Sequence, residues 1–239
     1  LGVYFEEVGE LIVIFDKADL GKLQEIKADA EKLGVEGLKI VDRKWLDEHE
    51  PNLSQDVFAA LNAPTAGIIS PYRWVYDLAE NAKANGVRVF LGKKVVAIVK
   101  KDVYEVRTNQ GHYRAKYIIN AAGLYGDEIA QMVGITDIKI VPRKGEEFLL
   151  DKKREHIVNH IIFPLPSKTS KGILVIKTSD GNPMIGPTAQ DIEDKEDLST
   201  TDEGLNKVLA SVQKMIPSVN ENDIIAYFAG LRPVSGHDF

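Results

Sequence analysis

The sequence has no cysteine, only two tryptophans and three methionines, and no uninterrupted apolar run of the ~18 to 20 residues that a membrane-spanning helix requires. Without cysteine, disulfides, thiolate zinc sites, iron–sulfur clusters and cysteine nucleophiles are excluded within these 239 residues. The N-terminus also lacks the basic, apolar and small-residue pattern of a signal peptide. These absences predict a protein with no transmembrane segment that is compatible with the cytosol.

Neither sign of charge dominates, because 30 Lys and Arg stand against 36 Asp and Glu, for a net charge of −6. That balance lacks the basic surface that binds nucleic acid or anionic membranes, so no nucleic-acid partner is expected. An apolar content of 44% is ordinary for globular proteins, and the length suits one large domain or two interleaved ones. Because the sequence begins at Leu1 and ends at Phe239, just after Ser235-Gly236, we expect a piece of a longer protein.

Several common catalytic and metal-binding motifs are missing as well. The sequence contains neither GxSxG nor a Walker loop, which disfavours hydrolases and NTPases. Its histidines form no HExxH or other recognised ligand spacing, so no metal site is predicted; they are His49, His112, His156, His160 and His237. His160, on a predicted strand, is expected to be structural.

Hydrophobic periodicity predicts a mixed α/β fold. Apolar stripes at helical spacing, with caps and stops, predict helices that begin near Leu20, Asp42, Ser70, Asp127 and Thr200. Strands are predicted at 10–15, 57–63, 87–91, 95–99, 103–108, 112–116, 117–123, 138–141, 147–150, 160–163, 173–177 and 224–228. Of these, 87–91 and 117–123 are expected to be buried. The charge run Asp191–Asp197 is typical of a solvated loop.

Ala121, Ala122, Gly123 and Gly126 lie where a predicted strand gives way to a helix. Small residues there let a backbone approach a ligand closely, and the free N–H groups of a helix start favour an anion. Tight packing of strand against helix, with no ligand, is the alternative interpretation.

Two basic segments are candidates for binding an anion. Arg232, in Ala229-Gly-Leu-Arg-Pro233, is expected at the end of a strand, where its planar guanidinium can hold a phosphate or carboxylate in two parallel hydrogen bonds. A structural ion pair with a nearby acid is the alternative. Arg143 and Lys144 precede Gly145 at a predicted joint between two strands, which is typical of an anion-facing corner or of a solvated turn.

A series of short segments in this order resembles the flavin-dependent oxidoreductases related to D-amino-acid oxidase. Within that family it is most similar to the FAD-dependent glycerol-3-phosphate dehydrogenases and the 2-hydroxyglutarate oxidases. The segments that carry the resemblance are Glu50-Pro51, Thr65-Ala-Gly-Ile-Ile-Ser-Pro71, Gly86-Val87, the strands from Val95, Asn120-Ala-Ala-Gly123, Pro142 with Lys144-Gly145-Glu146, Ile185-Gly-Pro-Thr188 and Ala229-Gly-Leu-Arg-Pro233.

The resemblance implies a partial FAD/NAD(P)-binding domain interleaved with a mixed-sheet substrate domain. Residues 67–137 would form part of the FAD domain, residues 1–66 and 138–229 the substrate domain, and residues 230–239 a return toward the FAD domain. The family's GxGxxG unit and its glycine-rich C-terminal segment have no counterpart here. We therefore expect FAD as the cofactor, with incomplete binding by this stretch alone.

The resemblance also assigns roles by position. The backbone of Val95 would meet the adenine, and Ala121, Ala122 and Gly123 would lie beside the phosphate and ribose of the cofactor.

Arg232 matches the arginine that binds the substrate anion, with His237 or Lys144 assisting. Where some relatives have Lys-Gly-Ser-His, this sequence has Lys-Gly-Glu-Glu, so the histidine's role does not carry over to Glu147. No general base is identified.

The implied reaction is hydride transfer from an anionic secondary alcohol to FAD, with sn-glycerol 3-phosphate as the first substrate and dihydroxyacetone phosphate as its product. A 2-hydroxy acid such as 2-hydroxyglutarate is the alternative substrate, and an amine oxidase is a further one. A non-catalytic module that binds a substrate or partner is also open for this truncated stretch. The electron acceptor is left among a quinone, oxygen and a partner subunit, and the expected location is the cytoplasm or the inner membrane face.

Overall fold

The computed structural model describes residues 2–167 and 171–236, and these residues confirm the mixed α/β class. Their α-helices are α1 (Leu20–Lys32), α2 (Arg43–His49), α3 (Pro71–Ala84), α4 (Gly126–Gln131) and α5 (Asp202–Met215). Their strands are β1 (Phe5–Glu7), β2 (Glu10–Ile14), β3 (Lys39–Asp42), β4 (Ala59–Ala63), β5 (Gly67–Ile69), β6 (Val95–Lys100), β7 (Tyr104–Thr108), β8 (Gly111–Ala115), β9 (Ile140–Leu150), β10 (Ile161–Pro164), β11 (Leu174–Lys177), β12 (Pro183–Gly186), β13 (Gln190–Asp191) and β14 (Ile224–Ser235). Within the described ranges, no helix is long and apolar enough to cross a membrane.

The chain forms two compact units. The first unit comprises the residues up to Leu78 together with Gly145–Ala189 and Leu198–Ala229. The second unit comprises Ala79–Lys144, Gln190–Asp197 and the described residues from Gly230. The assignment of a substrate domain and an FAD domain to particular residue ranges stays a prediction.

A mixed sheet forms the centre of the first unit, with strand order β9-β12-β11-β10-β2-β4-β3. β10 and β2 are parallel, whereas the other neighbours on this path are antiparallel. The register opposes Ile185 to Phe148 and Val175 to Ile185, so these three residues share one face. That face carries the main apolar core.

Helices α2 and α5 cover that face, because their apolar side chains alternate with polar ones at helical spacing. Residues that form this core with the sheet include Leu46, Val208, Val212, Phe148, Val175 and Ile185, each fully buried. Helix α1 packs through Leu23 on the opposite face, where it buries Ile14 and Leu61 of β2 and β4. The remaining strands on that opposite face are only half-covered: Leu149, Leu174, Ile176 and Met184 are half-buried.

Side chains fix the starts of two helices in this unit. Asp42 accepts a hydrogen bond from the backbone N–H of Trp45 at 3.0 Å, as the sequence predicted. The cap of α5 is Thr201, whose hydroxyl accepts from the N–H of Gly204 at 3.0 Å, so the predicted cap at Thr200 was one residue early. The buried carboxylate of Glu146 accepts from the N–H of Thr201 at 2.7 Å and from its hydroxyl at 3.0 Å.

His160 has a structural partner, the almost fully buried carboxylate of Glu50. Oε1 of Glu50 lies 2.7 Å from Nδ1 of His160 and accepts from the backbone N–H of His160 at 2.6 Å. The same carboxylate accepts from the N–H of Asn159. Glu50 thus fixes the chain just before β10 through backbone and side-chain bonds together.

In the second unit, the strands β6, β7 and β8 form an antiparallel meander, as predicted. Gly111 begins β8 with φ +114°, a conformation that suits glycine after the turn at Asn109-Gln110. The register shifts between Val95 and Ala97, which leaves Val96 in a β-bulge.

The predicted buried strands at 87–91 and 117–123 were wrong. Neither segment is a strand, and most of their apolar side chains are exposed, up to 92% for Ile119 and 87% for Leu91. A buried strand needs hydrogen-bonding partners along its edges, and none of the described residues pairs with either segment.

Two strands are longer than predicted. β9 runs without a break through the expected joint at Gly145, and β14 continues past Phe228 to Ser235. β14 pairs with β9, so ladder hydrogen bonds extend both strands beyond their apolar runs. Arg232 therefore lies inside a strand and not at its end.

Candidate functional site

All the predicted site residues that the structure describes belong to the second unit: Val95, Ala121, Ala122, Gly123, Lys144 and Arg232. His237 lies outside the described residues. No group of three or more His, Asp or Glu side chains among the described residues is arranged to hold a metal ion.

The loop before α4 is built around the side chain of Asn120. Its amide donates to the carbonyl of Gly126 at 2.8 Å, and its oxygen accepts from the N–H of Ala122 at 3.2 Å. Gly123 turns the chain with φ +56°, the left-handed region that favours glycine. These bonds hold the backbone from 120 to 126 in one turn.

This loop is open on its outer side. Ala121, Ala122 and Gly123 are exposed, and a Cβ added at Gly123 or Gly126 would meet no atom within 4 Å. Among the residues that the structure describes, no close packing explains these small side chains. They leave the backbone accessible to a bulky ligand, which fits the phosphate and ribose of a dinucleotide such as FAD.

Val95 lies at the start of β6, next to the bulge. Its side chain is half-buried, while the neighbouring Val96 is exposed. A bulge leaves backbone groups outside the regular ladder. The backbone here can therefore bond to a ligand edge, which suits the role predicted for Val95.

Asp127 anchors the beginning of α4. Its carboxylate accepts from Lys195 at 2.7 Å, from the N–H of Glu128 at 3.0 Å and from the N–H of Ile140 at 3.2 Å. Burial acts to raise the pKa of Asp127, but the hydrogen bonds from Lys195 and the two amides outweigh it and leave this pKa lowered. Asp127 is therefore a structural anion, held ionised.

The segment 190–197 is a largely exposed loop, as the charge run predicted, but several of its charges are paired with other residues of its unit. Asp191 takes two hydrogen bonds from the guanidinium of Arg143, at 2.6 and 3.1 Å. Lys195 binds Asp127, and the hydroxyl of Tyr125 donates to Glu196 at 3.0 Å. Segment 190–197 thus clamps the loop that carries the small residues.

Lys144 is buried, and its ammonium lies 2.8 Å from the carboxylate of Asp197. A cation held in this way is neutralised within its own unit. Any contact with a substrate anion would compete with Asp197. The assisting role predicted for Lys144 stays a prediction.

Arg232 differs from Arg143 and Lys144, because its side chain is exposed and makes no ion pair or side-chain hydrogen bond within the described ranges. The pKa of Asp191 is lowered mainly by its hydrogen bond from Arg143, and the positive charge of Arg232 lowers it further. The acid nearby is thus already paired with Arg143. The fork of Arg232 is available to an external anion.

Comparison with known proteins identifies relatives along the entire chain. The family model described as "FAD dependent oxidoreductase" (DAO) matches residues 1–239. A glycerol 3-phosphate dehydrogenase of Caloramator mitchellensis is 41% identical over 100% of this chain and 50% of that protein. An L-2-hydroxyglutarate dehydrogenase of Indibacter alkaliphilus is 30% identical over 77% of this chain and 47% of that protein.

A solved structure gives the same picture. L-alpha-glycerophosphate oxidase from Mycoplasma pneumoniae, dithionite-reduced and with FAD bound, superposes with a TM-score of 0.91 at 28% identity. The match covers 99% of this chain and 64% of the oxidase. The chain thus spans about half the length of the two curated relatives and under two thirds of this structure.

Proposed function

The chain belongs to the FAD-dependent oxidoreductase (DAO) family, and from this membership we propose that it forms part of a flavoenzyme that oxidises an anionic secondary alcohol. The observation that carries the proposal is the match along the whole chain, which includes the exposed small-residue loop at Ala121–Gly123. The family predicted from the sequence is confirmed.

Val95, Ala121, Ala122 and Gly123 are the residues that would hold FAD. The small loop would offer backbone N–H groups to its phosphates, and segment 190–197 would keep that loop in place through Lys195 and Glu196. When bound, FAD supplies the acceptor for the hydride that leaves the alcohol carbon. The chain's own contribution is to orient the alcohol and to accept the hydroxyl proton.

Arg232 would bind the anionic end of the substrate. It is exposed and, among the described residues, without an ion pair, so no internal bond has to break before it grips a phosphate or carboxylate. Two parallel hydrogen bonds would fix the direction of the substrate as well as its charge. Lys144 and His237 are proposed as secondary contacts.

We favour sn-glycerol 3-phosphate as the substrate and dihydroxyacetone phosphate as the product, because the most identical relative named above is a glycerol 3-phosphate dehydrogenase. L-2-hydroxyglutarate is the second candidate, since the relative that acts on it is also similar and a guanidinium fork accepts a carboxylate equally well. The proposed final electron acceptor is a quinone, oxygen or an electron-transfer subunit. The proposed location is the cytoplasm or the inner membrane face.

Anaerobic bleaching of the bound flavin tests the proposal. The purified protein, in its natural full length, is mixed without oxygen with glycerol 3-phosphate, L-2-hydroxyglutarate, uncharged glycerol and a set of amino acids. We expect rapid loss of the visible flavin absorbance with the first compound and none with glycerol. Bleaching by amino acids alone would establish an amine oxidase. A colourless protein that stays without flavin after FAD is added would support a non-catalytic module.

A further inference from the structure

One part of the second unit is strongly basic, although the protein as a whole is acidic. From Arg88 to Lys116, eight lysines and arginines stand against Asp102 and Glu105, whereas the whole chain has a net charge of −6. The net charge of the whole chain averages over both units and hides this local excess. A basic surface that the overall charge balance did not predict is therefore present.

The register of the β6–β8 meander places its charged side chains on one face. Arg107 on β7 is opposite His112 on β8, and Glu105 is opposite Arg114. Because side chains alternate along a strand, these four residues share a face, which we call the cationic face. Arg107, His112 and Arg114 are exposed, whereas Ile98, on the other face of the meander, is buried. The cationic face thus carries exposed charge, and the other face carries the packing.

Glu105, the acid of the cationic face, is already bound by two cations. Its carboxylate accepts from Nε of Arg107 at 2.8 Å and from the ammonium of Lys101 at 3.0 Å. The hydrogen bond from Arg107, followed by that from Lys101, lowers the pKa of Glu105 to about 2. Arg114 has neither an ion pair nor a side-chain hydrogen bond among the described residues. One carboxylate therefore serves two cations, and the face as a whole stays positive.

An acidic protein surface is the occupant that this face fits. Arg107 and Arg114 are diagonal neighbours on adjacent strands, about 7 Å apart by strand geometry. Each guanidinium can bind a carboxylate through two parallel hydrogen bonds, so one partner can present an acid to each. The apolar side chains that the structure places on this face, Ala97 and Val99, are half-buried. Surfaces that insert into lipid instead expose large apolar side chains beside their cations.

We propose that the cationic face of the meander is the docking surface for an acidic protein partner. The identity of that partner rests on the proposed function: electrons taken from the alcohol must leave the flavin, so we assign the partner as an electron-transfer subunit. Contacts between redox proteins are small, transient and steered by opposite charges. A face of three short strands with exposed arginines suits such a contact.

The test uses the flavin-loaded protein in its natural full length, with fluorescein-labelled poly-L-glutamate as the acidic probe. Fluorescence anisotropy should show that wild type binds the probe at low ionic strength and that added salt weakens binding. Replacing both arginines, in Arg107→Gln/Arg114→Gln, should weaken binding by about tenfold or more. Arg107→Lys/Arg114→Lys keeps the charges without the planar forks and should recover part of the affinity.

Lys207→Gln/Lys214→Gln is the matched control, because it removes the same charge from two exposed lysines of α5, in the first unit. It should bind the probe as tightly as wild type. Both glutamine double variants should keep the flavin spectrum and the wild-type rate of anaerobic flavin reduction by glycerol 3-phosphate. A loss of probe binding with these two properties intact is then not a defect in folding.

Two further probes distinguish the kind of partner. Vesicles of equal parts phosphatidylglycerol and phosphatidylcholine, or a 20-base-pair DNA duplex, are offered in place of poly-L-glutamate. If either binds through Arg107 and Arg114 while poly-L-glutamate does not bind, the partner is a lipid surface or a nucleic acid and the proposal is overturned. Equal binding of poly-L-glutamate to wild type and Arg107→Gln/Arg114→Gln also overturns it.

The docking surface and the proposed function fail in different ways. Probe binding needs no substrate, so it is expected even if no alcohol bleaches the flavin. In that case the proposed function is wrong, and with it the assignment of the partner to electron transfer. If glycerol 3-phosphate bleaches the flavin but both glutamine double variants bind the probe as wild type does, the proposed function stands and the docking surface is refuted.

Discussion

The ammonium of Lys195 lies 2.7 Å from the carboxylate of Asp127, across 68 residues of sequence. The same ammonium lies 5.4 Å from the centre of the Tyr125 ring, within range of a cation–π contact. Asp127 begins the helix that follows the small-residue loop, and Tyr125 belongs to the turn within it. One cation thus ties the candidate cofactor loop to segment 190–197.

Replacing Lys195 by Met should destabilise the protein and weaken FAD binding together. The pair is mostly buried, so its loss should cost of the order of 2 kcal/mol, between the ~1 kcal/mol of an exposed pair and the ~3 to 5 kcal/mol of a fully buried one. Urea unfolding and FAD titration measure the two effects. Lys153→Met is the control, because it removes the more exposed ion pair with Asp151, at 3.6 Å. It should change the free energy of unfolding and the FAD affinity only slightly. Equal losses of stability and FAD affinity in both variants would show that Lys195 does not hold the small-residue loop in place.

The same pair predicts a direction of pH dependence. The pKa of Asp127 is lowered in the folded protein, so its contribution to stability is present above the ordinary aspartate pKa of about 4 and is lost as the pH falls through the lower folded value. Wild type should therefore lose stability more steeply than Lys195→Met on acidification below about pH 4. Parallel curves of the free energy of unfolding against pH would contradict this.

Two glycines in the first turns of helices should respond to alanine with opposite signs. At Gly204 a Cβ would overlap the carboxylate of Glu146, so Gly204→Ala should destabilise by about 1 to 3 kcal/mol. At Gly21 a Cβ would meet nothing within 4 Å, so Gly21→Ala should stabilise by about 0.5 to 1 kcal/mol through helix propensity alone. Chemical denaturation of both variants decides this. Stabilisation by Gly204→Ala would show that Glu146 does not occupy that space.

Gly123→Ala separates the folding role of this glycine from its proposed ligand role. A positive φ of 56° predicts a cost of about 1 to 2 kcal/mol for alanine. Gly134, with φ 83° and equally open space, should show a similar cost in Gly134→Ala. We expect FAD affinity to fall at least tenfold in Gly123→Ala only, measured by flavin fluorescence titration. Unchanged affinity would place the cofactor phosphate elsewhere.

Arg232→Ala should lower kcat/KM for glycerol 3-phosphate by ~10²-fold or more while the flavin stays bound, because an oriented contact with the substrate anion is lost. Arg232→Lys keeps the charge without the planar fork and should recover only part of the rate. Arg114→Ala is the control, since Arg114 is also exposed on a strand without an ion pair among the described residues. If Arg232→Ala turned over glycerol 3-phosphate at the wild-type rate, the proposed binding of the substrate anion by Arg232 would be refuted.

Features that depend on neighbouring residues were predictable from the sequence. Helix α1 starts at Leu20 and α2 follows the Asp42 cap, because apolar spacing and caps act within one or two turns. The small residues at Ala121–Gly123 were also recognisable, and they are exposed as a ligand loop requires.

Segment 190–197 could not be predicted in the same way. Its partners, Arg143, Lys144 and Asp127, lie 48 to 68 residues away in sequence. A run of mixed charges gives no local signal of which charge meets which. The strands expected at 87–91 and 117–123 failed for a related reason, since apolar composition favours burial but does not supply a pairing strand.

The amino-acid order alone determined the local elements, the absence of thiol chemistry and the family. The tertiary structure alone decided the different surroundings of the two adjacent glutamates, Glu146 and Glu147. Their side chains are chemically identical, but a strand points successive residues to opposite faces. One face brings Thr201 to Glu146, whereas the other leaves Glu147 beside two glycines. Only the packing of distant segments determines which carboxylate is hydrogen-bonded and which has no partner among the described residues.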